Sequence, residues 1–252
     1  MSLREKNIVV DIAFNNWALN DTENQRWTKE WIERRMEIFM SFTAKSLENQ
    51  TNQDFTALVQ YDDHTEHLVK KAMRKYKRLP SNIKMIPHSE LKMQFENHVR
   101  DAKFGYFVRL DSDDLYHETF IQQLHDFQDS ENINVVINQK GYVYDAIQDR
   151  LATVSFKSPP FYTLIYKTED FLNGFRYEMK GHRSIIEMPH HILNNRNYTI
   201  IVHAQNTSTT FKEKYEKGMI QDTSEKNRVL NEFLGEGRDR LNVLGKFMNK
   251  LS

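Results

Sequence analysis

Between residues 7 and 110, short apolar runs alternate with longer segments whose apolar residues recur at helical spacing. "NIVVDIAF" (7–14), "DFTALVQYD" (54–62), "IKMIP" (83–87) and "YFVRL" (106–110) read as strands. "WTKEWIERRMEIFMSFTAKSL" (27–47), with Trp31, Met36, Phe39, Phe42 and Leu47 in register, reads as a helix. So do "TEHLVKKAMRKYKRL" (65–79), which stops before Pro80, and "ELKMQFENHVRDAK" (90–103). Strands alternating with helices build βαβ units, so the expectation is an α/β fold around a mainly parallel sheet. Ligands of such sheets gather beyond the carboxyl ends of the strands.

The second half changes character. "NVVINQKGYVYDAIQDRLATVSF" (134–156) reads as strand, turn and strand, and "FYTLIYK" (161–167) as a strand after Pro159–Pro160. "YTIIVHAQN" (198–206) is a late strand, and from Lys212 the chain is charged and mostly helical. No linker or repeat divides it. The expected organisation is one α/β domain over residues 1–210, with a helical extension over 211–252 packed on it. The 252 residues suffice for a substantial core. Lys plus Arg and Asp plus Glu are 35 each, which argues against a general nucleic-acid binder. The absence of cysteine excludes disulfides, thiolate metal sites and thiol nucleophiles. Neither a signal peptide nor an apolar stretch of membrane-spanning length is present, so a cytoplasmic protein is expected. Leu241, Leu244, Phe247, Met248 and Leu251, among Arg238, Arg240, Lys246 and Lys250, form a terminal stripe. It packs on its own domain or a partner subunit, or else makes a peripheral contact with an anionic membrane.

At the end of the fourth strand, "YFVRLDSDD" places Asp111, Asp113 and Asp114 within four positions. Like charges at that spacing repel, and a buried carboxylate without a partner is costly. In extended backbone Asp111 and Asp113 share a face, with Ser112 turned aside. Two hard oxygen ligands suit Mg2+ or Mn2+, which share their coordination with water and substrate phosphates. Alternatively Asp113 or Asp114 caps a helix starting near Tyr116 or His117. An EF-hand lacks its Gly and further ligands, a Walker loop is absent, and a phosphatase of Asp-x-Asp type fits the flanking residues poorly. The metal-bound diphosphate of a nucleotide sugar remains the best candidate.

"RRMEIFMSFTAKSLENQTNQDFTALVQYDD" (34–63), followed by "YFVRLDSDD" (106–114) and a late strand with His and Asn, resembles the rhamnosyltransferase-type glycosyltransferases of GT-A fold. The matching positions include Arg35, Phe39, Ser46, Leu47, Gln50, Thr51, Asp54, Phe55, Asp62, Asp111, Asp113, His203 and Asn206. The resemblance implies a GT-A-type mixed, mainly parallel sheet flanked by helices. It also implies transfer from a UDP- or dTDP-sugar donor to a saccharide or lipid-linked hydroxyl, plausibly in bacterial polysaccharide or glycoconjugate synthesis. A catalytically silent nucleotide- or sugar-binding protein of the same fold is the alternative.

By the same resemblance Asp113 and His203 hold the metal, and Asp111 contacts the donor. His203 could instead be satisfied by a neighbouring carbonyl. Asn206 holds a phosphate oxygen or shapes a turn. Asp62 recognises the base or forms an Asx turn, as does Asp63. Phe14 and Asn15 fall where the base lies in this fold. Arg35 offsets diphosphate charge, whereas Arg109 is expected to bridge to Asp111. For an inverting reaction the acceptor needs a base, sought in "MKGHRSIIEMPHH" (179–191) as His182 or Glu187, with Asp145 a distant third. His182 and Glu187 could equally belong to an ordinary solvated helix.

Overall fold

The computed structural model describes residues 3–15, 24–203, 206 and 209–236. Strand β1 (Arg4–Ala13) lies at the middle of the sheet's parallel half, flanked by β2 (Thr56–Tyr61) and β4 (Ala102–Asp111), with β3 (Ile83–Pro87) outside β2. Beyond β4 the sheet continues through β8 (Tyr162–Lys167), β6 (Val135–Asp145), β9 (His190–Val202) and the two-residue β5 (Leu115–Tyr116). β7 (Arg150–Ser155) pairs with β6 off this path. β1, β2, β3, β4, β6 and β9 run one way and β5, β7 and β8 the other, so the sheet is mixed and mainly parallel. The carboxyl ends of β4, β6 and β9 therefore share one edge.

Alternation along each strand divides the core. On one face Ile8, Val10 and Ile12 of β1 and Tyr106, Val108 and Leu110 of β4 meet Ile32, Met36 and Phe39 of α1 (Lys29–Ser41). α3 (Glu66–Met73) and α5 (Phe120–Asp126) add Val69, Phe120 and Leu124 to the same cluster. On the other face Val9, Leu58 and Phe107 pack under α4 (Leu91–Val99) and α6 (Thr168–Leu172). Each large apolar side chain buried in this way contributes about 1.5–3 kcal/mol.

The expected single helix over 27–47 is two: α1, then α2 (Thr43–Glu48), with Phe42 between them at φ −120° and ψ −77°. The break lets Phe39 enter the main core while Phe42 enters a third cluster with Leu115, Tyr144 and Phe233. No helix starts at Tyr116 or His117. Leu115 and Tyr116 pair with Thr199 and Tyr198 of β9, and α5 begins at Phe120. The late strand begins at His190, eight residues before the apolar run that announced it, because its polar first half pairs with β6. α7 (Thr223–Leu234) lays Val229, Leu230 and Phe233 on the third cluster. The apolar stripe over 241–251 lies outside the described residues. Among the described residues no helix is long and apolar enough to cross a membrane.

Candidate active site at the carboxyl edge of the sheet

The Asp triplet leaves β4 in a tight turn, closed by the Asp114 N–H donating to the Asp111 carbonyl (3.2 Å). That turn sends the three carboxylates to different partners. Asp111 accepts two hydrogen bonds from Arg109 (2.8 and 3.2 Å), and Arg109 also donates to the Pro160 carbonyl (2.8 Å). The Arg109 bridge is thus as expected. Asp113 instead faces Arg35, held on the middle of α1, whose Nη1 donates to its Oδ2 (3.0 Å). The Arg35 Nε donates to Ser112 Oγ (3.0 Å). Ser112 was expected to turn aside; the turn at the strand end buries it fully and puts it under the same guanidinium.

From the other side β9 delivers His203 one residue past its end. His203 Nε2 lies 3.1 Å from Asp113 Oδ2, with 4% of the residue exposed. Asn206 accepts from the His203 N–H through Oδ1, and its Nδ2 is 3.4 Å from Asp113 Oδ2. Arg35, Ser112, Asp113, His203 and Asn206 are thus one cluster, with Ser112, Asp113 and His203 buried and Arg35 and Asn206 partly so. Burial alone would raise the Asp113 carboxyl, but Arg35 and His203 outweigh it and hold the group far below the usual carboxylate range. Asp114 goes the opposite way. Burial first, then the charges of Asp113 and Asp111, push it well above its ordinary value, although the Ile201 N–H donates to it (3.1 Å). It caps no helix; it ties the turn to β9. Burial also raises Asp111, against the pull of Arg109.

The positions expected to meet the base do other work in this structure. Phe14 is buried, edge-on to Trp31 and Phe39 (centroids 6.4 and 6.3 Å). The Asn15 amide is buried too, donating to the Arg26 carbonyl (3.1 Å) and Thr65 Oγ1 (3.0 Å) and accepting from the Asp62 N–H (2.9 Å). Both side chains hold the strand ends together. Asp62 forms the Asx-type turn, accepting from the His64 N–H (3.1 Å) and Trp27 Nε1 (2.9 Å). Burial opposes ionisation of Asp62, and the bonds from His64 and Trp27 more than offset it. Asp63 accepts from the Ser89 N–H (3.2 Å). Among the described residues, Trp27 presents an exposed aromatic ring at this end, with the Arg26 guanidinium 4.9 Å from its centroid.

Of the acceptor-base candidates, Asp145 is spoken for. It is buried, binds Arg150 (2.6 Å) and accepts from the Ile147 and Gln148 N–H groups (3.0 and 3.1 Å), a structural turn at the end of β6. His182 and Glu187 sit exposed at the two ends of a three-ten segment, His182–Glu187, rather than on an α-helix. His182 feels the charges of Arg109 and Asp111, and burial and Arg109 lower its pKa. Glu187 is exposed.

Sequence reasoning passed over a second polar row, on the face of the sheet opposite α1. His88, Gln60, Asp11 and Arg109 stand on or beside neighbouring strands β3, β2, β1 and β4. His88 Nδ1 lies 2.6 Å from Gln60 Oε1, and Gln60 Nε2 donates to Asp11 Oδ1. A lone acid inside the apolar run "NIVVDIAF" was the available signal.

An acidic, arginine-compensated cluster at the carboxyl edge of a mainly parallel sheet is a place where phosphate-bearing substrates can be held. The model of the family described as "Putative rhamnosyl transferase" matches residues 14–213. The chain belongs to that family and is a glycosyltransferase. Among solved structures, it is similar to residues 1–349 of S. aureus TarS in complex with UDP-GlcNAc. Identity is 13% and the TM-score 0.44, over 98% of this chain and 82% of that one. The TarS complex with UDP gives 14%, 0.42, 97% and 71%. A 4-diphosphocytidyl-2C-methyl-D-erythritol synthase from Anaerococcus prevotii gives 9%, 0.35, 84% and 96%. No curated protein matches the chain.

Proposed function

We propose that the protein transfers a sugar from a UDP- or dTDP-linked donor to a hydroxyl of a saccharide or lipid-linked acceptor, in bacterial polysaccharide or glycoconjugate synthesis. The carrying observation is the hydrogen-bonded cluster of Arg35, Asp113, His203 and Asn206 at the edge where such substrates bind. Asp113 and His203 fit a divalent cation, Mn2+ or Mg2+: a carboxylate kept ionised, with an imidazole nitrogen 3.1 Å from it. Among the described residues no group of three or more acidic or His ligands is assembled. Water and donor phosphate would complete the set, as is usual for these ions. When bound, the cation stabilises the charge of the leaving diphosphate.

The chain's own residues do the rest. Arg35 is anchored through Ser112 and presents a planar guanidinium suited to phosphate oxygens. Asn206 offers an amide donor beside Asp113. Asp111, steadied by Arg109, stands at the strand tip to accept a donor hydroxyl. Trp27 offers the stacking face for the base that buried Phe14 does not.

The test is a thermal-shift titration of UDP and dTDP with and without Mn2+, since a ligand that binds only the native state raises its melting temperature. The expected result is a nucleotide-dependent shift that grows with Mn2+ and loses the Mn2+ increment in Asp113→Asn. An Asp113→Ala enzyme with full transfer activity in chelator would overturn the metal assignment.

A further inference from the structure

Beneath the tip of β4, on the face away from Asp113, lies a cavity of about 340 Å³. It runs along the seam between β4 and β8 from Asp111 and Tyr162 at the edge to Tyr166 and Phe171 deeper in. Five aromatic rings line it, those of Phe95, Phe107, Tyr162, Tyr166 and Phe171, among aliphatic side chains. Four charged side chains interrupt them, Asp11, Arg109, Asp111 and Arg176. Asp11 accepts from Gln60 through Oδ1, and among the described residues no side chain or backbone group donates to its Oδ2. Gln60 is itself oriented by His88, so one carboxylate oxygen is held and the other is left for a ligand.

We propose that this cavity is the acceptor subsite, that it takes a neutral pyranose, and that Asp11 receives the hydroxyl that attacks the donor. The inference rests on the glycosyltransferase reading above and deepens it. Aromatic walls match the C–H faces of a sugar ring, while two carboxylates and two guanidiniums match its hydroxyls. A lipid chain would bury the free carboxylate oxygen of Asp11 without a donor. The volume is at the small end of ligand cavities, enough for a saccharide unit. Location selects acceptor over donor. The phosphate-holding cluster lies on the α1 side, and the cavity meets it only at the Asp111 tip, so a ring in the cavity can bring a hydroxyl to the donor's anomeric carbon.

In the step itself the hydroxyl oxygen forms a bond to the anomeric carbon as the bond from that carbon to the phosphate oxygen breaks. The diphosphate leaves with the electron pair, the anomeric centre inverts, and the hydroxyl proton passes to Asp11. Burial raises the Asp11 carboxyl to about 6, against the Gln60 hydrogen bond and the charges of Arg109 and His88. That value suits a base working near neutrality. Asp111, Tyr162 and Arg176 are the other titratable groups lining the cavity with it.

The experiment uses the full chain with UDP and Mn2+ present and reads binding of methyl glycosides (rhamnoside, glucoside, galactoside) by saturation-transfer NMR. At least one glycoside should bind. Asp11→Asn should weaken it tenfold or more, and Met179→Trp, a change at an exposed residue of the cavity wall, should block it. Nucleotide binding should be unchanged in both variants. With dTDP-rhamnose or UDP-glucose as donor and the bound glycoside as acceptor, Asp11→Asn should lower kcat by 10²–10⁴. It should also leave the donor KM unchanged and remove the acidic limb of the pH profile. Nucleotide binding without glycoside binding, or glycoside binding indifferent to both variants, overturns the subsite. An acidic limb that persists in Asp11→Asn and disappears in His182→Ala overturns the role of Asp11. Failure to bind either nucleotide would instead strike the parent reading.

Discussion

Three aspartates that look alike in the sequence are three chemical groups in the fold. Asp113 is held ionised by Arg35 and His203, Asp114 is pushed toward its neutral form by burial and its neighbours, and Asp111 is bridged to Arg109. Arg35 and Asp113 expose only 16% and 13% of their side chains, so breaking the pair leaves a nearly buried charge. Arg35→Ala should therefore cost about 3 kcal/mol in urea denaturation, and Arg35→Lys less, since it keeps the charge and loses the fork to Ser112. The pH dependence has a definite sign. The folded value of Asp113 is depressed, so its contribution is present above the ordinary carboxylate range and is lost as pH falls through the folded value; Arg35→Ala should flatten that acid limb. Asp11 has the opposite sign. Its folded value is raised to about 6, so stability is fully present below the ordinary carboxylate value and declines as pH rises toward and through 6. Denaturation at pH 4 and pH 7.5 should show Asp11→Asn gaining roughly 2–3 kcal/mol on the wild type across that interval. An equal difference at both pH values would remove the raised carboxyl from the account. The partners of these groups were not readable locally: Arg35 and His203 lie 78 and 90 residues from Asp113.

At the scale of elements, periodicity worked wherever one pattern served one core. β1 to β4 follow apolar alternation and lie within a few residues of their expected bounds, whereas the helices expected over 65–79 and 90–103 end six and four residues early, at Met73 and Val99. It did not show where a segment serves two cores, as at Phe42, or where a strand is half polar. The first half of β9 is such a strand, carried by its pairing with β6 rather than by its own apolar residues. Gly141 marks the cost of that pairing. The register between β6 and β9 shifts there, and a Cβ at residue 141 would lie 2.4 Å from the Tyr198 ring. That ring cannot retreat, since it stacks on Phe161 at 3.9 Å. Gly141→Ala should therefore destabilise by about 1–3 kcal/mol, read as a lowered urea midpoint with an unchanged slope. A variant as stable as wild type would mean that the ring has room to move.

For the whole molecule the decisive question is whether the chain beyond residue 210 belongs to the body that carries the site. α7 starts at an Asp222 cap, whose Oδ1 accepts from the Glu225 N–H (2.7 Å), and buries Val229, Leu230 and Phe233 against Phe42, Leu115 and Tyr144. At about 1.5–3 kcal/mol for each of these three side chains, roughly 4.5–9 kcal/mol is at stake, the size of a whole domain's net stability. The contact also reaches the site. The Glu118 N–H donates to the Glu232 carbonyl (2.9 Å) just after β5, and β5 follows directly on the Asp triplet. Removing α7 should loosen the turn that aims Asp113 as well as expose the third cluster. A chain ending at Glu236 is expected to melt as a single transition and to bind UDP or dTDP as the full chain does. A chain ending at Gln221 should aggregate or melt many degrees lower, with nucleotide binding lost. Were the shorter chain to fold and bind nucleotide normally, residues from 222 onward would be a separate unit, and the packing of Phe233 on the sheet would contribute nothing to the site.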